Sequence, residues 1–227
     1  MNIFYLHHDP RAAAQWHCDR HCSKMIIEYA QLLSTAWHVL GLDNKGATSL
    51  THVNHPSAVW VRESADHYRW LVSLWRELHT EFEWRRLHKH KCYVDRYRYL
   101  KNPPVGMPEK GFVEPPQCMD EKYKIDGDCV AAYQQYYRKG KTHVVSYQWG
   151  RLAPSWLNIS NQPKERSIMN KEKIETNELW LEGQEIRVRM LKDFLEGNHK
   201  NHAKDLALLE AAETKGFDAL LKSTGPK

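Results

Sequence analysis

His17, His21, Lys24, Glu28 and Gln31 follow one another at steps of four, three, four and three. On a helix of 3.6 residues per turn those steps trace one narrow stripe. It would place two titratable imidazoles, an ammonium, a carboxylate and an amide side by side, with Arg20 and Ser23 next to them. Such a set can accept a proton and neutralise a departing anion. The plain alternative is a solvated helix face, since the stripe lies opposite Ile26, Leu33 and Trp37. Ile27 and Leu32 flank it and argue for partial enclosure. Catalysis is therefore expected at Glu28, His21, His17 and Lys24, with Arg20 and Gln31 touching substrate.

The same stretch reads His-Cys-Asp-Arg-His-Cys. Histidines four apart can share a zinc ion. Cys18 and Cys22, however, sit about 100° around the helix from the histidines. One helix would not close a tetrahedral site, so no metal and no cofactor is expected.

A second polar group is His55, Trp60, Arg62, Glu63 and Tyr68, with Arg69 beyond it. An arginine at a helix entry can grip a phosphate through two N–H groups, or can simply close a local salt bridge. This group is the expected remainder of the substrate site. A third group is cationic. From Trp84 to Lys101 the chain carries Arg85, Arg86, Lys89, Lys91, Arg96, Arg98 and Lys101 against Asp95 alone, with Tyr93, Tyr97 and Tyr99 interleaved. Cations attract phosphates and flat rings lie against bases. Arg85, Arg86, Lys89, Lys91, Arg96 and Arg98 are expected to contact DNA; the bland reading is a solvated helix end followed by a strand.

Elements must position these groups. Residues 3–6 are a short apolar run, either a strand or a buried arm. Asp9-Pro10 reads as a helix start, with Asp as the cap and Pro at the first helical position. One long helix is expected from there to Leu40, stopped by Gly41. Residues 41–57 are a polar loop. A second long helix is expected over 58–90, with Tyr68, Leu71, Leu74, Trp75, Leu78 and Phe82 at helical spacing. Five prolines make 101–120 irregular. A third helix is expected over 126–138, while 141–149 could be extended or helical.

Of the 227 residues, 33 are Lys or Arg and 28 Asp or Glu, a formal charge of +5. The first 157 residues carry 21 cations against 16 anions and so hold that whole excess. The last seventy are balanced and rich in Glu, Lys and Leu. The fold class is thus mainly α: a compact helical domain over 1–157 built on two long helices, then a helical C-terminal extension over 158–227. Helices at 172–196 and 203–221 could pack on the core or pair two copies of the chain. A mean hydropathy of −0.72 and no long apolar run exclude a membrane span. MNIFYLHHDP has neither a basic start nor a long apolar stretch, so it is not read as a signal peptide. Five cysteines in a non-exported chain are expected to be thiols. There is no P-loop, G-x-G-x-x-G, G-x-S-x-G or zinc-finger spacing, which demotes ATP hydrolysis, Rossmann chemistry and serine hydrolysis.

MNIFYL, the Asp-Pro step, HCDRHCSKMIIEYAQLLSTA, HPSAVWVRES and YRWL together resemble a family of tailed phages. That family is the amino acid–DNA transferases of thymine hypermodification, once called α-glutamyl/putrescinyl-thymine pyrophosphorylases. The resemblance covers residues 1–157. It implies an enzyme of the infected bacterial cytoplasm that acts on double-stranded DNA. There it would replace the phosphate of 5-phosphomethyl-deoxyuridine with a small amine, glycine preferred. It further implies Glu28 as the group handling the amine's proton, and His17, His21, Lys24 and Arg62 around the departing phosphate. Arg85, Arg86, Lys89 and Lys91 would track the DNA backbone. In helix order the chain also resembles, more weakly, the phage pyrimidine-dimer DNA glycosylase, whose first long helix carries a catalytic Glu; Glu28 stands in a comparable place. That enzyme uses a processed amine at its second residue. Asn2 follows Met1 here, and Met is not normally removed before Asn. A glycosylase/lyase and a non-catalytic nucleic-acid binder are the alternatives.

Overall fold

The computed structural model describes residues 1–149 and 151–157. They form a helical domain of six helices: α1 Pro10–Trp16, α2 Asp19–Val39, α3 Pro56–Glu63, α4 Ala65–Arg86, α5 Lys91–Leu100 and α6 Cys129–Gly140. Short 3-10 turns stand at Glu121–Tyr123 and Ser155–Leu157. No strand occurs among the described residues, and none of their helices is long and apolar enough to cross a membrane. The expected C-terminal helices and any pairing through them lie outside the described residues.

Asp9 caps α1 as expected, its carboxylate accepting from the amides of Arg11 at 2.7 Å and Ala12 at 2.9 Å. The single helix expected from there to Leu40 is two helices. The break at His17 and Cys18 has a tertiary cause. A continuing helix needs the carbonyls of residues 13, 15 and 16. Ala13 O instead accepts from the His17 ring at 2.7 Å, Gln15 O from Arg85 at 3.0 Å and Trp16 O from the Tyr147 hydroxyl at 2.6 Å. The Asp19 amide turns outward to Ser146 O at 2.9 Å.

The second long helix is also broken, at Ser64, where φ −147° and ψ 140° are extended. Ser64 Oγ accepts from Asp66 N and Lys110 N, and the Ala65 amide donates to Pro108 O. The strand expected after the basic helix end is helix α5. The third helix starts three residues later than expected, because Gly127 turns with φ +73° and Asp128 then caps the Ala131 amide.

α2 and α4 run antiparallel, as the pairs Arg85–Asp19, Trp75–Ile26 and Tyr68–Trp37 show in turn. Ile3–Leu6 pass through the core fully buried, without a partner strand. Side chains satisfy this arm instead: Phe4 N donates to the Tyr29 hydroxyl, and Gln134 donates to Leu6 O. The Phe4 ring stacks on His21 at 4.2 Å and meets Tyr133 and Tyr137 edge-on.

Candidate functional site

The arm changes what the polar stripe of the first helix does. His17 is no longer on α2. It is fully buried at the end of α1, donating to Ala13 O and accepting from Tyr29 Oη at 2.9 Å. His21 is buried beneath Phe4 and bonds Tyr137 Oη at 2.6 Å. Burial pushes His17 down to about 4 and His21 to about 2, with nearby cations adding to both shifts. Both imidazoles are neutral core groups with their partners inside the protein. The geometry takes them out of the catalytic set.

Lys24 and Glu28 remain at the surface of α2. Lys24 Nζ lies 3.1 Å from the Glu28 carboxylate, whose side chain is 15% exposed while that of Lys24 is 61% exposed. Gln31 follows one turn on, half-buried. Ile27, expected to flank an enclosed stripe, is exposed, whereas Leu32 is core.

The loop after α2 brings one member of the second polar group, His55, toward this face. Thr48 N donates to Ser34 Oγ, His38 bonds Thr48 O, and Thr35 Oγ1 donates to Thr51 O at 3.0 Å. These bonds lay the loop along α2 and deliver His52 and His55. His52 takes a left-handed conformation, φ +48°, rare for a residue with a Cβ. His55 caps α3, its Nδ1 accepting from Ser57 N at 3.2 Å. Its pKa is lowered by burial first, then by the positive charge of the Met1 amino group and His52, while Glu28 opposes the shift. His55 is thus a neutral imidazole at pH 7 within the field of Glu28. His52 is the member that helical spacing could not reveal, because it stands in a loop whose course depends on side-chain bonds.

Arg62 acts on the same loop, donating to Val53 O at 2.6 Å. That contact uses one of the five N–H groups of a guanidinium. Glu63 is exposed at the end of α3, and Arg20 is exposed in the first turn of α2. Two expected substrate contacts are core instead. Trp60 stacks on His67 at 4.4 Å and donates to Val113 O. Tyr68 is fully buried, donating to Leu100 O and accepting from Trp37.

The expected DNA contacts divide in the same way. Arg85 is buried in an ion cluster with Asp19 and Glu81, so it cannot reach a phosphate. Lys89, Lys91 and Arg98 are exposed; Lys91 pairs loosely with Asp95, and Arg98 lies over the Tyr99 ring. Arg86 packs its guanidinium 4.1 Å from the Trp149 ring centroid. Arg96 is half-buried on α5. The face formed by the end of α4 and by α5 is therefore cationic without Arg85.

Among the described residues no group of three or more His, Cys, Asp or Glu is arranged to hold a metal ion. No family model, no curated protein and no solved structure matches the chain.

Proposed function

We propose that the protein is a DNA base-modifying enzyme that works at Lys24, Glu28 and His55. Its reaction replaces the phosphate of 5-phosphomethyl-deoxyuridine in double-stranded DNA with a small amine, glycine preferred. The family resemblance of residues 1–157 supplies the reaction. The observation that carries the site is a carboxylate of low exposure held 3.1 Å from an ammonium, with the half-buried, neutral His55 imidazole close enough to feel its charge.

These groups divide the work. The donor enters as an ammonium ion and passes one proton to the Glu28 carboxylate that holds it, while the Nε2–H of neutral His55 is left to donate to the departing phosphate. The freed nitrogen pair forms the bond to the exocyclic methylene. The C–O bond breaks with its electrons going to phosphate, which leaves as inorganic phosphate, its growing charge met by Lys24. The new secondary ammonium then loses its second proton to solvent. Arg62 is a positioning residue that holds the His55 loop through Val53.

Mass spectrometry of nucleosides tests this reading, after incubation with 5-phosphomethyluracil DNA and a mixture of glycine and simple amines. The expected product is a nucleoside in which one amine has replaced phosphate. Unchanged nucleosides on DNA that is bound would contradict the reading. A lyase is the second reading, favoured by the primary amine of Lys24 beside a carboxylate, since such a pair can form an imine at a sugar carbon. Borohydride trapping of a protein–DNA adduct, mapped to its residue, would select it.

Binding to DNA should be strongly salt-dependent. Each phosphate neutralised on duplex DNA contributes about −0.9 to the slope of log K against log salt. Arg86, Lys89, Lys91 and Arg98 together predict a slope of about −3 to −4. From 50 to 200 mM salt, affinity should then fall roughly a hundredfold. A slope near zero in fluorescence anisotropy titrations would remove the α4–α5 face from the account.

A further inference from the structure

The segment after Lys141 is irregular, yet it is anchored on both sides of Trp149. Tyr147 is buried and donates to Trp16 O at 2.6 Å. Gln148 N donates to the Asp19 carboxylate. Arg151 binds both Glu81 oxygens, at 2.9 and 2.6 Å, and lays its guanidinium over the Trp84 ring at 4.4 Å. Between these anchors Trp149 is 40% exposed, the one exposed tryptophan among the described residues. Arg86 lies 4.1 Å from its centroid, over one face. Arginine and tryptophan thus alternate between α4 and the segment, and an aromatic ring is held at the surface beside Arg86, with the exposed Lys89 and Lys91 following in the chain.

We infer that this end of α4 is a stacking platform for an unpaired base of single-stranded DNA, with Trp149 as the ring and Arg86, Lys89 and Lys91 facing the backbone phosphates. Three observations lead there. An exposed indole is hydrophobic surface that folding leaves uncovered, and here the flanking anchors hold it in place. A guanidinium on one face leaves the ring sandwich to be completed by a flat partner, and every base offers a π-face. The charges at this end of the helix suit phosphate: the buried anions Asp19 and Glu81 are already paired by Arg85 and Arg151, while Arg86 is half-buried and Lys89 and Lys91 are exposed. The platform deepens the proposed function, for it rests on the α4–α5 face being the one that meets DNA.

The test uses the whole protein and fluorescein-labelled oligothymidine, alone or annealed to oligodeoxyadenosine. Single strands should bind more tightly than the duplex. Trp149→Ala should weaken single-strand binding about five- to a hundredfold, the usual effect of losing one stacked base. Trp149→Phe should keep most of it. Photo-crosslinking of wild-type protein to 5-iodouracil oligonucleotide needs no variant, and should attach at Trp149. Equal binding by Trp149→Ala, tighter duplex binding, or crosslinks confined to other residues would overturn the platform. Crosslinking reads contact and nucleoside analysis reads chemistry, so the platform and the transferase reading fail separately.

Discussion

Arg85→Ala is expected to destabilise the domain by about 3–5 kcal/mol, as removal of one partner from a buried ion cluster does. The Arg85 side chain is 1% exposed. Its Nη1 lies 3.1 Å from Asp19, its Nε 2.7 Å from Glu81 and its Nη2 3.0 Å from Gln15 O. Deletion leaves Asp19 facing the Gln148 amide alone and Glu81 facing only Arg151. It also frees Gln15 O, one of the carbonyls whose capture separates α1 from α2. At 2–4 °C per kcal/mol, the melting temperature should fall by roughly 6–20 °C. Arg85→Lys should lie between the two, because an ammonium keeps the charge but not the fork of donors. Urea unfolding checks this; a loss below about 1 kcal/mol would show that the cluster contributes little net stability. Arg85 variants that remain folded should bind DNA as the wild type does, unlike changes at Lys89 or Lys91.

Acid should unfold the domain early. His17 and His21 titrate near the ordinary histidine value in the unfolded chain, but only at about 4 and about 2 when folded. As pH falls from 6.5 toward 4.5 the unfolded state therefore binds up to two more protons than the native state, and stability falls. The slope is about 1.4 kcal/mol per proton per pH unit. The two groups together cost on the order of 5 kcal/mol between pH 6.5 and 4.5, comparable to the whole stability of many domains. Above pH 6.5 both states hold these imidazoles neutral and the effect vanishes. Urea midpoints across pH 7.5 to 4.5 measure it. A flat profile down to pH 5 would mean that one or both rings are charged in the native core.

Helical periodicity located α2, α4 and α6, because their apolar residues face a shared core. The cap at Asp9 was legible because local residues do the capping, whereas the start of α3 at Pro56 falls inside the span expected to be loop. The two breaks were not legible. Carbonyls near His17 are taken by Arg85 and Tyr147, and Ser64 is satisfied from residues 108–110, all far along the chain. Periodicity also misread one face of the first helix. It counted His17 and His21 as solvated or lining a cleft, because it had no means of knowing that Ile3–Leu6 thread over that face. The arm makes no ladder, so nothing in its spacing announces where it packs. Lys24 and Glu28 lie further along the stripe and keep the exposure expected of them. His55 is legible only as a member of the second polar group. Its place within the field of Glu28 depends on the Thr35, Thr48 and Thr51 bonds, which composition does not encode.

Chemistry is expected at Glu28 and its neighbours. Its most direct test is nucleoside mass spectrometry on 5-phosphomethyluracil DNA, with wild type and Glu28→Gln side by side in the same amine mixture. Glutamine keeps the shape and removes the charge that faces Lys24 and His55. Loss of a positioned proton-handling group lowers rate by about 10²–10⁴-fold. The expected result is amine-bearing nucleoside from the wild type, little or none from Glu28→Gln, and similar DNA binding by both. Product formed by Glu28→Gln at the wild-type rate would contradict the claim.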